Sequence, residues 1–382
     1  MSAFALHPSR VLTPDGFRED CCVVVDDGLV VDVLPSRECP HGVPRRALDG
    51  ELVPGFIDLQ VNGGGGILFN DHPTVAGIAA IGEAHRRFGT TGFLPTLISD
   101  DLEVVRRAIE AVDAAIAQGI PGVLGIHIEG PFLNPSRKGA HDASKFKVLG
   151  AEAIDLLSSL HRGRTLVTLA PEAAPPGSIR ALVERGIVVS AGHTAASYDE
   201  IQLAIAEGLS GFTHLFNAMP QLGSREPGPV GAALESRAAW CGLIADGHHV
   251  HPATLRIALA AKGAQRLALV TDAMPSVGSD DKEFELAGQR VFVDGGRCVT
   301  ADGTLAGSHL TMAEAVRNAE RLMGVDAATA VRMASKVPAD ILGLSHERGA
   351  IRSGLRADLV LLDAERNVVE TWIGGSDDSS MR

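Results

Sequence analysis

Apolar residues along this chain fall into short runs, and what separates those runs differs between the ends and the middle. Near the N-terminus, Cys21–Val25 and Leu29–Leu34 flank Asp26-Asp27-Gly28, a spacing that predicts a β-hairpin. The C-terminal end has the same character. Strands are expected over Ala357–Leu362 and Asn367–Ile373, followed by an acidic tail, Gly374–Arg382, expected to be disordered. Two β-rich ends around a different middle predict that residues 1–52 and 346–382 meet in one small β-domain, leaving 53–345 as a second unit.

The middle alternates. Apolar runs occur at Leu52–Asp58, Gly92–Thr96, Val123–Glu129, Leu166–Ala170, Ile187–His193, Gly211–His214, Trp240–Asp246 and Leu267–Asp272. Segments of mixed polarity between most of them read as helices, among them Thr74–Phe88, Leu102–Ala117, Ala151–His161 and Pro252–Lys262. Ser197-x-x-Glu200 and Thr311-x-x-Glu314 are capping-box patterns that mark helix starts. Eight strand–helix repeats predict a (β/α)8 barrel. A doubly wound sheet fits less well. The glycine run Asn62–Gly66 lacks the GxGxxG spacing, the P-loop lysine and a helix directly behind it.

Composition narrows the functional classes. With 382 residues, 45% of them hydrophobic, a sizeable core is available and disorder is not expected. A net charge of -13 argues against a nucleic-acid or membrane-surface binder. It leaves room for a small anionic substrate, since a few local cations suffice for one phosphate. Five cysteines without CxxC spacing argue against a disulfide framework, and Cys21 and Cys22 read as core residues. No leader-like N-terminus and no run of about 18 apolar residues is present, so a soluble cytoplasmic protein is expected.

The candidate chemistry lies in where the polar residues fall. Asp58, Glu129, His193, His214 and Asp272 each end one of the eight runs, and the Trp240 run leads into Asp246-Gly247-His248-His249. Barrel active sites gather at the C-terminal ends of strands, so such residues converge on one mouth. Any one of them alone reads first as a hydrogen-bonded core group; the set does not. Glu129, His193 and His214 form an N/O donor set for one divalent metal, Zn2+ first, with Fe2+, Mn2+ or Co2+ also suited. Three protein ligands leave a position for water. His127, two residues before Glu129 on the same strand face, reads as a supporting residue rather than a fourth ligand. Asp272 is placed as the general base. His141 reads equally as a catalytic or a solvated loop histidine. Arg225 and His249 are candidate phosphate partners.

These residues sit in recognisable motifs: His127–Phe132 (HIEGPF), Lys138–His141 (KGAH), Ser190–Thr194 (SAGHT), Thr213–Met219 (THLFNAM), Arg225–Gly228 (REPG), Ala245–His249 (ADGHH) and Val270–Ala273 (VTDA). In this order, over nearly the whole chain, they resemble the N-acetylglucosamine-6-phosphate deacetylases of the amidohydrolase superfamily. The resemblance implies a (β/α)8 barrel with a small β-sandwich built from both termini, and a homodimer. It also implies metal ligands at Glu129, His193 and His214, an acid/base at Asp272, and carbonyl polarisation by His141. Phosphate binding falls to the backbone around Asn217 and Ala218, with Arg225 and His249, some of it contributed across the dimer. The Leu305–Ser308 loop, with Leu305 and Ala306, would lie against the sugar and acetyl group.

One departure stands out. Many amidohydrolases carry His-x-His after the first strand for a second metal; here Gln60 and Asn62 occupy those places. Amides are poor transition-metal ligands. One tightly bound metal is therefore expected, with Gln60 holding a water in the vacated position. The expected reaction is hydrolysis of the acetamide of N-acetyl-D-glucosamine 6-phosphate. Alternatives are a deacetylase for the galactosamine epimer or a related N-acyl amino sugar phosphate, and a non-catalytic sugar-phosphate-binding protein.

Overall fold

Three apolar runs are buried along nearly their whole length, which suits strands covered on both faces: Phe56–Val61, Thr90–Ile98 and Gly125–Glu129. They begin an eight-stranded parallel sheet in a computed structural model that describes residues 3–377. Its strands are β1 (Phe56–Val61), β2 (Thr90–Ile98), β3 (Gly125–Glu129), β4 (Arg164–Leu169), β5 (Val188–Ala191), β6 (Gly211–Phe212), β7 (Trp240–Leu243) and β8 (Leu267–Leu269). They are hydrogen-bonded in chain order. Helices Leu102–Ala117 and Pro252–Lys262 have the bounds their patterns predict. Ser197 and Glu200 form a reciprocal capping box, and the Thr311 hydroxyl accepts the Glu314 N–H. No helix among the described residues is long and apolar enough to cross a membrane.

The barrel is closed by something other than a regular ladder. Beyond β8, Asp272 N–H donates to the Gln60 carbonyl (3.0 Å), and Asn62 and Gly63 donate to the Ala273 carbonyl (2.9 and 3.0 Å). One position earlier the Asp58 carboxylate stands in for a backbone carbonyl and accepts the Thr271 N–H at 3.2 Å. Asp58 is therefore not a strand-end residue. The Leu52–Asp58 run splits at Gly55: Glu51–Pro54 pairs with Leu359–Leu362, and Phe56–Val61 is β1. That puts Asp58 third in its strand. Gly55 is required there because a Cβ would lie 2.1 Å from the Thr91 hydroxyl.

Strands from both termini form two further sheets, one of residues 4–7, 21–26, 29–35 and 45–47, the other of 10–13, 16–19, 51–54, 359–362 and 368–372. Leu6, Val23, Val25, Leu52, Leu359 and Trp372 share a buried cluster between them. The expected hairpin is present as Cys21–Asp26 and Leu29–Pro35. The start of the acidic tail is ordered: Gly374 N–H donates to Asp358 Oδ1 (2.8 Å), and Ile373 bridges Ser376. Residues 378–382 lie outside the described residues.

Residues 283–308 fold into an antiparallel four-stranded sheet that the barrel pattern did not anticipate. Leu305–Ser308 is its last strand, not a loop, and bridges Ala273 beside the barrel seam.

Candidate active site

Glu129 ends β3, and His193 and His214 each follow β5 and β6 by two residues. His193, His214 and Asp272 all adopt positive φ (48°, 31° and 54°), a region that costs non-glycine residues about 1–3 kcal/mol and is found disproportionately at functional sites. Glu129 Oε1 lies 3.0 Å from His214 Nε2 and 3.2 Å from His193 Nε2, and the two imidazole nitrogens are 3.1 Å apart. One donor atom from each residue falls within 4.8 Å of the others.

The protonation pattern suits a cation. His193 Nδ1 lies 2.8 Å from the Arg137 carbonyl, which only accepts, so Nδ1 carries a proton and Nε2 is the nitrogen turned toward Glu129, where a cation would meet it. Burial opposes ionisation of Glu129, yet hydrogen bonds from His193 and His214 hold its carboxyl well below the usual range. Burial likewise disfavours charge on His214, but Glu129 raises its pKa. The trio draws positive charge inward, and its carboxylate and imidazole donors fit a divalent metal.

Asp272 stands beside it. Asn62 Nδ2 donates to Asp272 Oδ1 at 2.6 Å, and Gln60 Nε2 donates to the same oxygen and to Glu129 Oε2, both at 3.1 Å. Gln60 and Asn62 thus turn N–H donors, not metal-binding lone pairs, toward the ground a second ion would take. Gln60 holds the two carboxylates directly and lies beneath the mouth, outside the cavity lining; Asn62 lines it. Asp272 Oδ2 makes no hydrogen bond within the described residues. Burial, and after it the Glu129 charge, push the Asp272 carboxyl up.

His141 is buried, its ring 4.4 Å from that of His193. Its Nδ1 accepts the Ser99 N–H (3.3 Å) and sits 2.8 Å from the Ser99 hydroxyl, so the proton resides on Nε2. Burial, then the charge on His193, push its pKa down to about 3, leaving it a neutral donor. Both nitrogens of His127 face hydroxyls, Nε2 on Thr168 (2.8 Å) and Nδ1 on Thr96 (3.3 Å), so neither is left for a metal.

A cavity of about 540 Å³ opens over these groups, lined also by Asn217, Ala218, His249 and Leu305. Asp246 Oδ2 takes His249 Nδ1 at 2.6 Å, leaving Nε2 for a ligand. Ala306 is buried facing away, as strand alternation from Leu305 and Gly307 requires. Arg225 is exposed and outside this lining. Arg137 lines the cavity with a buried, unpartnered Nε, a cation that strand-end reasoning passed over. The amide clamp of Gln60 and Asn62 on Asp272, the Ser99 support of His141 and the inserted sheet were also missed. Only the inserted sheet left a sequence signal, alternating residues around Ala287-Gly288 and Asp294-Gly295-Gly296.

A model of the Amidohydrolase family matches residues 52–377. An N-acetylgalactosamine-6-phosphate deacetylase of Shewanella sp. (strain ANA-3) is 42% identical, over 96% of this chain and 94% of its own length. The crystal structure of N-acetylglucosamine-6-phosphate deacetylase from Pasteurella multocida superposes with a TM-score of 0.94 at 34% identity, covering 98% of this chain and 99% of that one. A mutant of the Mycobacterium smegmatis enzyme in complex with N-acetyl-D-glucosamine-6-phosphate gives 0.90 at 32% identity, over 99% of both chains. With its barrel, its Glu129–His193–His214 cluster and full-length likeness to these enzymes, the chain belongs to the amidohydrolase family, among the N-acetylglucosamine-6-phosphate deacetylases and their relatives.

Proposed function

We propose that the chain hydrolyses the acetamide of N-acetyl-D-glucosamine 6-phosphate to D-glucosamine 6-phosphate and acetate, using one divalent metal per subunit, Zn2+ in the first instance. The observation that carries this reading is the meeting of Glu129, His193 and His214 within 4.8 Å, with the Asp272 carboxylate tied beside them in the same mouth.

When bound, a divalent ion held by the three ligands supplies a water of lowered pKa and draws electron density from an acyl oxygen. Asp272, fixed through Oδ1, keeps Oδ2 to take a proton from water as its oxygen joins the acetyl carbon. His141 Nε2–H donates to the acetyl oxygen as negative charge develops there. Asp272 then returns its proton to the departing nitrogen as the carbon–nitrogen bond breaks. Asn217, Ala218 and His249 hold the phosphate end, positioning the substrate without touching the reacting bond. Arg225, exposed in a single subunit, serves the mouth of a second copy, which makes a homodimer the working unit.

A second reading is favoured by the Shewanella relative, whose name specifies the galactosamine epimer. Acetate release from the two epimeric sugar phosphates, with and without chelator, tests both. Release that chelation abolishes and Zn2+ restores is expected, faster with the glucosamine epimer; faster release from the galactosamine epimer selects the second reading. Metal-loaded protein inert toward both sugars would overturn them.

A further inference from the structure

We propose that His7, Cys22 and Cys39 form a second metal site, a thiolate-and-imidazole pocket for a divalent transition-metal ion such as Zn2+, in the sheet built by the N-terminal strands. One donor atom from each of the three residues lies within 4.8 Å of the others. Ligand atoms around one zinc ion stand roughly 3.3–3.8 Å apart, given bond lengths of about 2.3 Å to sulfur and 2.0–2.1 Å to nitrogen, so a modest inward turn of the side chains completes the site.

The fold brings these residues together from sequence positions that show no metal-binding spacing. Strand Phe4–His7 pairs antiparallel with Cys21–Asp26, Leu6 facing Val23, so the same register sets His7 opposite Cys22. Cys39 follows the short turn Ser36–Glu38; its N–H donates to the Ser36 carbonyl (3.3 Å) and its own carbonyl accepts from Arg45 (2.9 Å). Both sulfurs are free thiols on buried residues, packed with Ala5 and Val24 and edged by Leu34 and Val43.

His7 Nε2 is the second, independent sign. It is enclosed and has no hydrogen-bond partner. A buried polar nitrogen left unmatched is unfavourable, and a metal satisfies its lone pair. Charge also balances. Two thiols that each release a proton become thiolates that neutralise a 2+ ion, while imidazole joins as a neutral ligand. The soft sulfur donors distinguish this pocket chemically from the oxygen-and-nitrogen site in the barrel.

The test uses the full-length protein purified in reducing buffer and loaded with Zn2+ or Co2+. Elemental analysis is expected to find one ion fewer per chain in the Cys22→Ser/Cys39→Ser variant than in wild type, with acetate release unchanged. Co2+-loaded wild type is expected to show intense near-ultraviolet sulfur-to-cobalt absorption, retained in a Glu129→Gln chain. This second readout needs no folded cysteine variant. Wild type without that absorption, or a Cys22–Cys39 disulfide persisting in reducing buffer, overturns the proposal. So does equal metal content in wild type and a folded cysteine variant.

Discussion

Asp58 offers a measurable consequence of the way the barrel closes. Its carboxylate is fully buried at the seam; Oδ1 accepts from the N–H groups of Gln60 and Thr271, each at 3.2 Å, and Oδ2 accepts from the Thr271 hydroxyl. Burial pushes this carboxyl from its ordinary 3.8 up to about 7, against the pull of the Thr271 hydroxyl. Between those values the folded protein keeps a proton that the unfolded chain has released. The stabilising difference is full below the unfolded value and is lost as pH rises through the folded one. At about 1.4 kcal/mol per pKa unit the whole effect is about 4 kcal/mol, of which about 2.5 kcal/mol falls between pH 5 and pH 8. Asp58→Asn removes the titration while keeping the shape. Its amide oxygen still accepts the two N–H groups, and its NH2 faces Thr271 Oγ1, whose own proton can turn to the Gln60 carbonyl 3.3 Å away. For a chain of this length, 2.5 kcal/mol corresponds to about 3 °C in melting temperature. Calorimetry of both proteins at equal metal loading should therefore show the variant gaining about 3 °C on wild type between pH 5 and pH 8. A difference that does not change with pH would refute the assignment of the buried charge to Asp58.

Other predictions address the site directly. Asp272→Asn should lower kcat by roughly 10²- to 10⁴-fold with metal content near wild type, the outcome expected of a proton carrier outside the ligand set; normal acetate release would remove it from the mechanism. Glu129→Gln should weaken divalent-ion binding in equilibrium dialysis by more than the roughly 10- to 100-fold typical of residues behind a ligand, and unchanged affinity would exclude it as a ligand. Arg225→Ala should raise KM about 10- to 100-fold with little change in kcat, the signature of a lost charge-assisted contact away from the reacting bond. An unaltered KM would take Arg225 out of phosphate binding.

The clustering of Glu129, His193 and His214 was legible because each stands at or just past the end of an apolar run, and barrel topology brings those ends together. Asp58 was misplaced for the converse reason. The run Leu52–Asp58 stays apolar while the chain passes from the terminal sheet into the barrel, and Pro54-Gly55, the mark of the change, does not reveal which sheet each half joins. Partnerships across the seam were illegible because they join residues more than two hundred positions apart, such as Asn62 and Asp272. The burial of His141 depends on its packing against His193, and the His7–Cys22–Cys39 cluster depends on strand register; neither leaves a local pattern in the chain.

The proposed base and the three proposed ligands belong to differently secured parts of the barrel. Glu129, His193 and His214 extend from the third, fifth and sixth strands of one unbroken parallel ladder, whereas Asp272 rides on the short joint that links Gln60–Gly63 to Thr271–Ala273. Fraying that begins at that joint separates acid–base chemistry from ion binding. Gentle heating should therefore first yield a silent form that still carries its metal, with inactivation running ahead of metal release.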